Sequence, residues 1–169
     1  MNYWFSADLH LNHNNIRKHC NRPFTSVEEM NLEIIKRWNE KVQPDDTGYI
    51  LGDFCWKTDA LQYVTQMNGR IILIRGNHDR DIDRLHFDAV HDLLKVKIGG
   101  QKIVLCHYAM RVWDCSHHGS WHLYGHSHGS LEGEPWGLSM DVGVDTHDFY
   151  PWSLADISKV MENRNVQAK

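Results

Sequence analysis

At four places along this chain a short apolar or aromatic run stops abruptly in Asp, Asn, His or Gly. The breaks are Asp8-Leu9-His10, Gly52-Asp53, Gly76-Asn77-His78-Asp79, and a fourth divided between His107 and Gly125-His126-Ser127-His128. A β-branched run such as the IILI before GNHD suits a strand buried on both faces. In open α/β sheets, ligands sit outside the carboxyl ends of the strands. A chain with this pattern is therefore constrained to a sheet that collects polar side chains along one edge. Thirteen histidines in 169 residues, crowded at several of these breaks, point that edge toward metal chemistry.

The remaining segments supply the surrounding elements. Residues 2–6, 47–51, 71–75, 121–124 and 139–144 read as strands. Residues 95–106 alternate and turn at Gly99-Gly100, which predicts a hairpin. Over 26–41, Val27, Met30, Ile34, Ile35 and Trp38 follow helical spacing, and Ser26 with Glu29 forms a capping box. A short helix is expected over 59–68, ended by Gly69. A last helix is expected from Ser153, where Asp156 completes a weaker box. The order β-α-β-α-β followed by hairpins predicts an α/β sheet whose second half is antiparallel. No repeat or Pro/Ser-rich linker divides the chain, so 1–169 is read as a single domain.

Composition excludes some classes of function. The formal net charge of −4 disfavours a nucleic-acid groove, although Arg17-Lys18 and Arg70 keep nucleic acid open as a partner. The apolar runs are too short to span a bilayer, and the N-terminus lacks a basic region followed by an apolar stretch. A cytoplasmic protein with no membrane partner is expected. The four cysteines form no CxxC pair and are expected as free thiols. Cys106, one residue before His107 in an extended segment, is expected to point into the core.

Asp8 and His10 are i and i+2, as are His126 and His128, so extended backbone would project each pair to one side and toward one cation. Taken singly, each cluster is ordinary turn chemistry. Carboxylate, imidazole and amide donors recurring in this order at strand ends go beyond what turns require, and the metal reading prevails. The mixed donors suit Mn²⁺, Fe, Zn²⁺, Ni²⁺ or Co²⁺ better than Ca²⁺ or Mg²⁺.

The order DxH, GD, GNHD, H, GHxH resembles the calcineurin-like metallophosphoesterase superfamily, in particular its small single-domain bacterial and phage branch. The segments HYAMRVW and HGSWHLYGHSHG carry the likeness from Trp4 to about Ile157. The resemblance implies an α/β fold of two mixed β-sheets packed as a sandwich flanked by helices, the four-layer metallophosphoesterase fold. It also implies two divalent metal ions, with manganese expected first. Asp8, His10, Asp53 and His128 would hold one ion; Asp53, Asn77, His107 and His126 would hold the other, with Asp53 bridging. His78 would be catalytic, and Asp79 either orients its imidazole or caps a helix that follows.

The implied activity is hydrolysis of small phosphodiesters, nucleotide-like or cyclic, by a metal-bound hydroxide whose parent water falls from a pKa of about 15.7 to near 7. A phosphomonoesterase and a non-catalytic metal-binding scaffold of the same fold are the alternatives. His13, which small members of the family also carry, is assigned to substrate phosphate or to support of the first metal. Arg111, four residues after His107, is assigned to a phosphate oxygen, which a guanidinium can hold bidentately. Trp113, Trp121 and Trp136 are read as core or as a wall for a base or sugar. His117, His118 and His122 are read as pocket mouth or exposed loop, and Arg75 as one half of a structural ion pair.

Overall fold

Successive side chains along a strand point to opposite faces, and strand β3 (Arg70–Ile74) is apolar on both. Ile71 and Leu73 enter one core while Ile72 and Ile74 enter another. The strand is therefore the middle of a layered structure. The computed structural model describes residues 1–57, 60–80, 82–131 and 136–164. In the first sheet the order is β4-β3-β2-β1-β9, with β1 (Tyr3–Ser6), β2 (Thr47–Ile50), β3 and β4 (Ala89–His91) parallel and β9 (Trp152–Ser153) antiparallel at the edge. The second sheet runs β5 (Leu93–Ile98), β6 (Gln101–Cys106), β7 (Trp121–Tyr124), β8 (Ser139–Asp141).

One core joins the first sheet to the helices α2 (Val27–Lys41) and α3 (Leu61–Val64), through Met30, Ile34, Trp38 and Val64. The other lies between the sheets, where Phe5, Tyr49 and Leu51 meet Ile103, Leu105 and Leu123, and α4 (Leu154–Glu162) adds Ile157 and Met161. This is an α/β fold of two mixed sheets packed with helices. No helix among the described residues is long and apolar enough to cross a membrane.

The local expectations fare unevenly. The hairpin forms, with Gly99 and Gly100 at φ 57° and 88°, the left-handed pair that a tight turn between twisted strands needs. The strands after it are parallel, however, so the second sheet is mixed rather than antiparallel. The long segment 107–120 carries the chain back over the sheet, which a hairpin cannot do. Ser26 Oγ accepts from Glu29 N at 3.1 Å, and the Glu29 carboxylate also accepts from Thr25 N and Oγ. Ser153 caps α4 as expected, accepting from Asp156 N. The helix expected over 59–68 is shorter: residue 59 lies outside the described residues, α3 runs from Leu61 to Val64, and Gly69 (φ 90°) serves the turn into β3.

Arg75 does form an ion pair, with Asp92. Cys106 is half-buried rather than in the core, because it ends β6 opposite Leu93, itself exposed at the start of β5. None of the four cysteines is in a disulfide. The short α1 (Ile16–His19), β4 and β9 had no periodic signal to announce them.

At the amino ends of β1 and β2, buried Asp46 accepts from Asn2 N, Gln43 N and Trp4 Nε1. Burial alone would raise this carboxyl, but the three N–H donors outweigh it and hold its pKa at about 2.

Candidate metal centre

At the opposite ends of these strands the chain continues pairing after the strands stop. Asp8 N donates to Gly52 O, His10 N to Asp53 O and Leu11 N to Phe54 O, so the loops after β1 and β2 run side by side. The backbone there is not extended. Asp8, His10, Asp53, His126 and His128 all lie in the left-handed region, at φ between 49° and 67°. Each such non-glycine residue is strained by roughly 1–2 kcal/mol, and strain of this kind collects at functional sites. It also changes the pairing of donors. Asp8 and His10 do share one group, with His128, but His126 joins Asp53 and His107 instead. The expectation that His126 and His128 face one side fails because neither has the extended geometry it assumed. Within each group the candidate ligand atoms lie within 4.8 Å of one another.

The first group contains buried acceptors with nothing to accept from. Asp8 Oδ2 takes His126 N at 2.8 Å, while Asp8 Oδ1 and His10 Nε2 have no hydrogen-bond partner. Burial raises the Asp8 carboxyl above its ordinary range and pushes the His10 imidazole far below its own. His128 is raised to about 10, since Asp145, Cys20 and the charge of Asp8 overcome burial, which acts in the other direction. Buried acceptors that lack a donor and resist their own charge are the environment a divalent cation satisfies.

In the second group, His107 Nδ1 donates to Leu51 O at 2.7 Å, which leaves Nε2 as a lone pair. Nε2 lies 3.1 Å from Asn77 Oδ1, so the imidazole and the amide oxygen stand together at this group. Asp53 Oδ2 stands between the groups, 3.4 Å from His10 Nε2 and 3.6 Å from His107 Nε2. Two glycines make room. A Cβ on Gly76 would fall on Asp53 Oδ1, and one on Gly52 (φ 93°) would fall on the His107 ring.

His78 stands beside both groups without belonging to either. Its N–H donates to Asp53 Oδ1 at 3.0 Å, its Nε2 is 3.9 Å from Asp53 Oδ2, and its half-exposed ring meets His10 and Trp56 edge-on. Asp79 neither orients that ring nor caps a helix. Its buried carboxylate accepts the backbone N–H of Asp53, Phe54 and Gly76, and so holds two ligand loops together. His13 reaches the site through its Nδ1, 3.1 Å from His10 Nδ1, and lies flat on Trp56 with ring centroids 4.3 Å apart.

The Arg111 guanidinium lies over the ring of Trp136, 4.7 Å from its centroid. Trp113 and Trp121 are buried, and Trp136 is half exposed. His117 and His118 are exposed and pack on each other. His122 is fully buried and fits neither reading of it. It meets the Val104 and Tyr108 carbonyls and accepts Met110 N, fixing the loop after His107.

Sequence reasoning missed the supports. Buried Arg22 donates to the Asp8 and Leu9 carbonyls and pairs through Nε and Nη2 with both oxygens of Asp145. Asp145 in turn holds His128 Nδ1 at 2.7 Å, leaving Nε2 for the Asp8 group. Cys20 also clusters with His128 and Asp145. Because Arg22 and His128 already occupy both Asp145 oxygens, that cluster reads as support for the first group, not as a third centre. Asp141 accepts Ser127 Oγ and Gly129 N, setting the His126–His128 turn.

Residues 1–135 match the family model of the calcineurin-like phosphoesterase superfamily domain. An uncharacterised protein of Methanocaldococcus jannaschii is 34% identical over 169 aligned residues, 95% of this chain and 91% of that protein. The gene 66 protein of Mycobacterium phage D29 is 27% identical, over 89% and 92% of the two chains. A solved structure of a protein of unknown function from Aquifex aeolicus superposes with a TM-score of 0.74 at 25% identity, over 94% of this chain and 98% of that one. A structure described as a novel archaeal phosphodiesterase superposes at 0.54 with 19% identity, over 85% and 84%, a likeness of fold.

Proposed function

The chain belongs to the calcineurin-like phosphoesterase superfamily, and we propose that it is a dinuclear phosphodiesterase acting on small, nucleotide-like substrates. A metal-dependent phosphoesterase is the coarser statement its family supports. What supports a pair of ions is the position of Asp53 Oδ2, between the Asp8–His10–His128 group and the His107–His126 group. Asp8, His10, Asp53 and His128 would hold one divalent ion, and Asp53, Asn77, His107 and His126 the other, with manganese favoured by the mixed donors. When bound, such ions supply Lewis acidity to phosphoryl oxygens and an acidified water at neutral pH.

The chain's own residues then orient and protonate. Asp79 and Asp145 fix the donors, and His78 Nε2, at the half-exposed edge, can hold a proton for the leaving oxygen. The charge balance favours a diester over a monoester, whose second negative charge would call for a further cation. Arg22 cannot serve, being buried and engaged by Asp145 and two carbonyls. Hydrolysis of bis-p-nitrophenyl phosphate and p-nitrophenyl phosphate with added Mn²⁺ tests the reading. The diester should be preferred, Asp53→Ala should abolish turnover, and Cys106→Ala should retain it. Near-normal turnover by Asp53→Ala would sink the proposal.

A further inference from the structure

Two imidazoles at the metal centre rest on a side chain that no ligand assignment requires. Half-buried Trp56 follows Asp53 and Phe54 along the loop after β2. Its main chain is fixed to the loop after β1, since Trp56 N donates to Leu11 O at 2.8 Å and Trp56 O accepts from Asn12 Nδ2 at 3.1 Å. Leu11 and Cys55, both buried, pair in a parallel bridge just before it. The indole therefore starts from the same paired backbone that carries His10 and Asp53.

It ends against imidazoles. One face lies flat on the His13 ring, with centroids 4.3 Å apart and planes 8° apart, and the His78 ring meets it edge-on at 4.8 Å. His13 stands 5.1 Å from His10 and 6.0 Å from His78, and His10 stands 5.4 Å from His78, all between ring centroids. The four rings form one closed cluster.

His78 needs such a support. Its backbone N–H is anchored on Asp53 Oδ1, but among the described residues its ring makes no hydrogen bond. Nε2 is 3.9 Å from Asp53 Oδ2, beyond hydrogen-bond reach, and the side chain is 32% exposed. An imidazole so placed can sample several staggered rotamers. Proton delivery demands one of them, because a misplacement of about 1 Å can slow a reaction about 100-fold. An edge-on ring pair favours its own arrangement by roughly 2- to 10-fold. Of the three rings around His78, His10 presents Nε2 to the first ligand group and His13 holds His10 Nδ1 at 3.1 Å. Trp56 is the largest of the three and touches both His13 and His78.

We propose that Trp56 is a positioning residue for His78, its indole holding the imidazole in the rotamer that keeps Nε2 toward Asp53 Oδ2. The inference rests on the phosphodiesterase reading for the proton that His78 delivers. In that step the P–O bond breaks with its electron pair on the leaving oxygen, which takes the Nε2 proton, and the attacking water returns a proton to the ring.

Histidine-labelled, metal-free protein tests the placement by NMR, since three-bond couplings report the His78 rotamer. One rotamer is expected in wild type, averaging in Trp56→Ala and Trp56→Leu, and recovery in Trp56→Phe, which keeps a ring. The Leu variant fills the space should the Ala variant fold poorly. Rates with Mn²⁺ test the consequence on two thymidine 5′-phosphodiesters. One releases a sugar alkoxide, which must be protonated, and the other releases p-nitrophenolate, which need not be. Loss of the ring is expected to lower kcat for the first by about 10-fold with KM little changed, and for the second by less than about 3-fold. An unchanged His78 rotamer in both ring-less variants, or equal slowing of the two substrates, overturns the proposal. If wild type cleaves neither substrate while the rotamer responds as expected, the positioning of His78 stands and the phosphodiesterase reading falls.

Discussion

The Asp79 carboxylate accepts the backbone N–H of Asp53 at 2.7 Å, so the central acidic residue of the site is held through its main chain by a second acid. The same carboxylate takes Phe54 N and Gly76 N. Asp79→Ala would leave three N–H groups without this acceptor, two of them on buried residues, and is expected to destabilise the metal-free protein by about 3–5 kcal/mol. Asp79→Asn, which keeps one oxygen, should fall between that variant and wild type. Urea midpoints for the three proteins check the order.

Asp145 would support an ion at the first group through His128 and, by way of Arg22, through the Asp8–Leu9 backbone. Asp145→Asn is expected to lower affinity for that ion by about 10- to 100-fold, as loss of a partner behind a ligating histidine does, while the Asp53–His107–His126 group keeps its own. Chelator competition should therefore resolve one weakened and one unaltered site. Equal weakening of both would show that Asp145 supports the whole fold instead.

The unpartnered Asp8 Oδ1 and His10 Nε2 predict strong coupling between metal and stability. An ion present at about 1,000 times its dissociation constant adds about 4 kcal/mol, or roughly 10 °C in melting temperature for a chain of this size. Differential scanning calorimetry with Mn²⁺ and with a chelator measures it. His10→Ala should lose most of the gain.

Asp46 provides a pH signature away from the site. Its folded pKa, about 2, lies below the ordinary 3.8, so its contribution is complete above about pH 4 and disappears as pH falls toward 2. Asp46→Asn should cost about 1–2 kcal/mol at pH 7. Denaturant titrations from pH 7 to pH 3 should show the gap from wild type narrowing only at the acid end. A gap that stays constant would assign the loss to packing.

Where the sequence was legible, a local physical rule carried the information. Ser26 and Ser153 announce helix starts, Gly99-Gly100 announces a hairpin, and the apolar run before GNHD announces a strand buried on both faces. The donors were legible because each sits at the end of such a run. Their geometry was not, since Asp and His tolerate left-handed φ without requiring it, so residue type alone does not fix the φ values of Asp8, His10, Asp53, His126 and His128. The supports were hidden by distance along the chain: Arg22 and Asp145 are 123 residues apart, and neither stands in a periodic segment. Asp79 misled for the opposite reason, since an Asp beside a His invites an explanation through that His, while its partners are backbone N–H groups of its own turn, at Gly76, and of the turn after β2, at Asp53 and Phe54.

Each donor group draws from both sheets. Asp8 and His10 leave β1 and meet His128 from beyond β7; Asp53 leaves β2 and meets His107 and His126 from beyond β6 and β7. Bound ions therefore rivet the two sheets along one rim, as inorganic cross-links resisting their sliding or splaying. At the opposite rim the N–H grip of Asp46 ties neighbours within the first sheet. Pulled apart by force or loosened by denaturant, the sandwich should open from that far rim, with the ions as the hinge.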